Sequence, residues 1–91
     1  MIYKVKFVSD EIISELPNWL IHFLWYLLEE FTQADSSFDG RFSLQRASEG
    51  QSIACRVNDK PRQIVMPCPR AVDCEVEIIE LDEQLVMQLA Q

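Results

Sequence analysis

Glycine is scarce: the 91-residue chain holds two, Gly40 and Gly50, both in stretches that read as turns. A phosphate-cradling loop needs glycines clustered so that backbone N–H groups can close on the anion, and no such loop is present. Histidine is scarcer still. His22 stands alone, in an apolar stretch between Trp19 and Tyr26. A nucleophile needs a neighbouring base, and a lone helical histidine is expected at a solvent edge rather than in catalysis. The three cysteines, Cys55, Cys68 and Cys74, are odd in number and lack C-x-x-C spacing. A zinc site would need a fourth ligand, and His22 is the only histidine. Free thiols in a reducing compartment are the expectation, with no metal, redox site or cofactor.

Long apolar runs are also missing. The longest, Pro17 to Phe31, has 15 residues, short of the ~20 a membrane-spanning helix needs. Its polar side is acidic, which suits a core helix better than an interfacial one. The first ten residues lack the apolar run of a signal peptide, so the expected location is cytoplasmic.

Bases are absent from residues 71–91, which carry six acids: Asp73, Glu75, Glu77, Glu80, Asp82 and Glu83. Residues 41–70 are the reverse, with six bases against Glu49 and Asp59. The chain totals −7, which disfavours contact with nucleic-acid backbones. The acidic face Asp73, Glu75, Glu77 and Glu80 is either solvated or an imitation of a phosphate backbone. Glu75 and Glu77 share a strand face, where solvation is expected over paired-carboxylate chemistry. Arg41, Arg56 and Arg62 fall in neighbouring strands; they could gather into an anion site, although surface arginines paired with the chain's own acids are the expectation.

What is present is a core. Nearly half the residues are apolar, enough for one small domain over residues 1–91. Pro17 suits a first helical position. From there Phe23, Leu27, Leu20, Phe31, Leu24, Leu28, Ile21 and Trp25 fall within an arc of roughly 200°, so the helix is buried on two or three sides. Leu24 and Trp25 lie well inside that arc. The remaining strip carries Trp19, His22, Tyr26, Glu29 and Glu30. Trp19 either folds back onto Ile12 or Ile13 or joins Tyr26 in a contact face, since Trp and Tyr are frequent binding hot spots.

Strands flank this helix. Ile2 to Val8 alternates, with Tyr3, Val5 and Phe7 on the apolar side. Thr32 to Gly40 is a loop anchored by Phe38. Arg41–Ala47 and Gln51–Val57 form a hairpin through Ser48-Glu49-Gly50, and Gln63–Met66 comes after the turn Asn58 to Pro61. Pro67 and Pro69 end that meander. Ala71 to Leu81 is a further strand whose parity breaks at Ile78-Ile79. Asp82 caps a closing helix in which Leu81, Leu85 and Leu89 stack at i, i+4 and i+8. The expected class is α+β: an antiparallel sheet of four to five strands, one main helix on a face, and a short C-terminal helix.

Several of these features resemble a family. Phe7-Val8-Ser9, Glu15-Leu16-Pro17, Leu20, Leu24-Trp25 and Leu27-Leu28-x-Glu30, then Gly50-Gln51-x-Ile53 and Pro61, are similar to the small bacterial proteins grouped as domain of unknown function 960. The likeness covers roughly residues 5–63 and stops before the acidic third. It implies a fold and a mobile-element or phage-like setting; it implies no activity and no catalytic residue.

With no catalytic constellation, the expected function is a non-catalytic protein-interaction module, an accessory or inhibitory factor. Its contact strip would be Trp19, His22, Tyr26, Glu29 and Glu30, and its partner another protein or a second copy of the chain. No membrane partner and no direct nucleic-acid binding are expected. The alternatives are an acidic nucleic-acid mimic that inhibits a basic target, and a small enzyme whose site the sequence does not display.

Overall fold

A computed structural model describes residues 5–31, 40–57 and 60–90. The opening alternation forms β1 (Val5–Val8). Ser9 ends it and caps the short helix α1 (Asp10–Glu15). The Ser9 amide donates to the Met87 carbonyl at 2.9 Å, and its hydroxyl accepts from the Ile12 amide at 3.3 Å. Two acids sit in the first turn of α1, the favourable end for negative charge. Leu16 is extended at φ −111 and ψ 141, as a residue before proline prefers. The main helix α2 (Asn18–Phe31) starts beyond it, with the Pro17 carbonyl accepting from Leu20 and Ile21 at 3.0 and 3.2 Å.

β2 (Gly40–Ala47), β3 (Gly50–Val57) and β4 (Lys60–Met66) form an antiparallel meander. β5 (Cys74–Leu81) and β6 (Gln84–Leu89) form a second hairpin. Among the described residues the sheet has six strands in the order β1-β6-β5-β2-β3-β4. β1 runs parallel to β6 and every other pair is antiparallel, so the sheet is mixed rather than purely antiparallel.

Residues 84–89 depart from expectation: they are a strand, not a helix. Spacing of i, i+4 and i+8 suits a strand's period of two as well as a helix. Met87, between Leu85 and Leu89, faces the core with Leu85, which only the strand allows. Asp82 does not cap a helix; it turns the hairpin at φ 55, in the left-handed region that Asp tolerates better than most residues. β5 also runs unbroken through Ile78-Ile79, its register holding to Leu81 opposite Gln84. Ile79 therefore shares a face with Glu75 and Glu77, and Glu80 falls on the other.

The β2–β3 turn is two residues, not three, because Ala47 pairs with Gly50. Gly50 opens β3 at φ 138. A Cβ there would strike the Met66 carbonyl oxygen and lie 2.6 Å from the Cys68 amide, so glycine is required for that close approach. Expectations for Ile2, Tyr3, Lys4, Phe38, Asn58 and Asp59 lie outside the described residues.

Both helices pack on one sheet face, a two-layer arrangement. Leu20, Leu24, Trp25 and Leu28 of α2 meet Phe42, Leu44, Ile53, Val76, Ile78 and Leu85, all buried. The other sheet face is covered by no described element. β1 is turned over relative to expectation: Val5 and Phe7 point to this open face, 58% and 47% exposed. Lys6 and Val8 take the helix side, where the Lys6 ammonium lies 5.7 Å from the centre of the Trp25 ring.

Candidate functional site

The strip expected on α2 is on its outer side. Trp19 and Tyr26 are 41% and 55% exposed, His22 and Glu30 are exposed, and Glu29 is half-buried. Tyr26 stacks on Phe23 with ring centres 6.1 Å apart and planes 19° from parallel. That contact lends the exposed ring rigidity at little side-chain entropy cost. Trp25, one turn from Ile21, is buried beneath the strip.

A concavity of about 600 Å³ opens beside it, between α2, α1 and β1. Val8, Ile13, Ile21 and Trp25 form its apolar floor and walls, and Lys6, His22, Tyr26 and Glu29 its rim. Trp19 and Glu30 are not among its lining residues, so the five-residue strip divides into a groove-lining part and two flanking residues. None of the lining residues is a Ser, Thr or Cys. Lys6 and Val8 are not evident from sequence as groove residues. Lys6 reads there as the solvent side of a strand, and only its pairing opposite Leu85 brings it to the groove.

The other sequence candidates lie away from that groove. Arg41 and Arg56 are direct cross-strand neighbours on the open sheet face. Arg62 lies opposite Cys55 on the helix side, its guanidinium 4.5 Å from the centre of the Phe31 ring. All three nonetheless line one shallow concavity of about 480 Å³, together with Ser43, Gln63 and Glu75. The four acids do not form one face. Asp73 accepts from the Arg46 amide at 2.8 Å and approaches the Arg46 guanidinium at 3.3 Å. Glu75 and Glu77 point to the open face, where Glu77 accepts from Gln88 at 2.8 Å. Glu80 has the opposite parity.

The thiols are separate from one another in environment. Cys55 is buried in the core and burial pushes its pKa up, against a smaller pull downward from Arg62. Burial also raises the Cys74 thiol, reinforced by Glu15 and Asp73. Among the described residues no three His, Cys, Asp or Glu side chains come together as a metal-holding group. No described helix is long and apolar enough to cross a membrane.

Sequence reasoning missed Gln51, which is fully buried in the hydrophobic layer. Its amide nitrogen donates at 3.1 Å to the carbonyls of Gln45, Ser52 and Val72, and its oxygen accepts from the Val72 amide at 2.8 Å. It locks the connection between β4 and β5 onto the β2–β3 hairpin. The one signal in the sequence is its place two residues before Ile53, on the inward parity of β3.

No family model and no curated protein matches this chain. Among solved structures it is similar to a protein of unknown function from Enterococcus faecalis, with a TM-score of 0.70 at 12% identity. The likeness covers 94% of this chain and 87% of that one, and at such identity it is a likeness of fold.

Proposed function

We propose that this protein is a non-catalytic protein-interaction module that binds its partner through the outer face of α2 and the groove beside it. The observation that carries this reading is the pairing of two exposed aromatics, Trp19 and Tyr26, with an apolar-floored concavity of about 600 Å³. Large aromatics beside a groove are the usual composition of a binding hot spot. The polar rim of Lys6, His22 and Glu29 has both signs of charge, which suits a peptide segment or helix of another protein. An accessory or inhibitory role accords with the resemblance to small mobile-element proteins. The scattering of the acids lends no support to a nucleic-acid mimic.

The test is the double substitution Trp19→Ala with Tyr26→Ala. Both side chains are largely outside the core, so circular dichroism and the melting temperature should change little. A stoichiometric partner captured from native lysate by the parent protein should be lost. Capture that survives in a folded double variant would remove α2 as the contact face. Unfolding of the variant would instead assign the strip to the core.

A further inference from the structure

We propose that the shallow concavity beside Arg41 and Arg56, on the open sheet face, binds a small phosphomonoester that carries hydroxyl groups, a sugar phosphate in the simplest case. The strand register builds it. One cross-strand row on this face runs Glu75, Ser43, Ala54, Gln63, and the next runs Glu77, Arg41, Arg56, Pro61. Ser43 and Ala54 are short, so they leave a floor between longer neighbours, with a space of about 480 Å³ above it. Every lining residue is a described one.

Charge selects the ligand. Arg41 and Arg56 stand directly opposite each other, both exposed, an arrangement that repels when nothing lies between them. Glu77 is Arg41's neighbour on β5, but its carboxylate accepts from Gln88. Arg56 has no acid across either ladder: its neighbours are Arg41 and Pro61. Neither arginine has an ion pair among the described residues. Arg62 lines the concavity, but its guanidinium lies over the Phe31 ring, so the anion is left to the other two. Two guanidiniums whose Cβ atoms are ~5 Å apart can both fork onto one tetrahedral group. A phosphate dianion neutralises both; a carboxylate neutralises one. The net charge of −7 does not prevent this, because acids beyond a Debye length, ~10 Å at 0.1 M salt, are screened.

The rest of the lining limits what the phosphate can be attached to. Glu75 and Glu77 close the β5 side, two strand spacings or ~10 Å from β3. A second phosphate there would meet carboxylates, so a nucleic-acid strand or a polyphosphate is disfavoured. Hydroxyl groups there would find the Glu75 carboxylate as acceptor and the Ser43 hydroxyl beside it. Gln63 forms the opposite wall, its amide donating to the Ser52 hydroxyl at 3.4 Å. No lining residue is aromatic, so a nucleobase has nothing to stack on, which favours a sugar as the organic part.

Titration of isotope-labelled protein with ribose 5-phosphate, inorganic phosphate and ribose, followed by amide chemical shifts, tests this. Saturable shifts should centre on Ser43, Ala54, Arg56 and Gln63. Ribose 5-phosphate should bind several-fold tighter than phosphate, and ribose should not bind. Arg56→Gln should weaken ribose 5-phosphate binding by roughly tenfold or more. Its melting temperature should be unchanged or higher, because the opposed charges are gone. Should that variant not fold, Arg41→Gln takes its place with the same expected loss. Glu75→Gln should narrow the gap between ester and phosphate, by removing both the repulsion and the acceptor. The proposal is overturned by shifts that do not saturate in the millimolar range or that persist unchanged in Arg56→Gln. It is equally overturned if the ester binds no better than phosphate, or if Glu75→Gln leaves the gap untouched. None of these outcomes touches the α2 reading, whose residues lie on the other side of the sheet.

Discussion

Gln51 shows how much one buried polar side chain can hold. Its amide has two N–H groups shared among three carbonyls and one oxygen that takes the Val72 N–H. Replacing it with Leu keeps the volume but takes from the Val72 N–H and C=O the partner that ties them to the hairpin. The expected loss is about 1–3 kcal/mol, the penalty of an unmade hydrogen bond in a dry site. Urea unfolding should show it as a lower midpoint, and limited proteolysis should then cut within residues 67–73. An unchanged midpoint would mean that water replaces the side chain. From sequence, Gln51 is simply a polar residue at the start of an alternating strand. Its burial depends on Val72, which lies 21 residues away and is brought beside it only when β5 docks on β2.

At the scale of elements, the sequence is most legible where one period stands alone. α2 shows a wide apolar arc with no period-two competitor, and it forms within one residue of the expected start. The N-cap at Ser9 and the extended Leu16 are also local chemistry, although the cap is seen only in the structure. The β5–β6 hairpin was not, because leucines four apart fit both templates and Asp82 is a good residue for either a cap or a turn. The left-handed Asp82 decides between them. Asp82→Val should cost about 1–2 kcal/mol, since a β-branched side chain resists positive φ, whereas Asp82→Gly should cost less. Comparing the two in urea gives the answer; equal midpoints would place the turn elsewhere.

At the scale of the whole molecule, the sheet's centre and edges should differ in stability. β2 and β5 are flanked by strands on both sides, while among the described residues β1 and β4 are each paired along one edge. Native-state hydrogen exchange should therefore be slowest in β2 and β5 and fastest in β4 and β1. Fast exchange in β5 would contradict the strand order. Sequence alone determined the class, the main helix, the β2–β3–β4 meander and the candidate strip on α2, because these rest on local periodicity and turn chemistry. Only the tertiary structure decided that β1 joins β6, that Lys6 rather than Phe7 faces the helix, and that opposite charges divide the open face. Each of these is a pairing between segments far apart in the chain. A strand's alternation says that one side is apolar; which side meets the helices is set by its neighbour's register, since a shift of one residue exchanges the two faces.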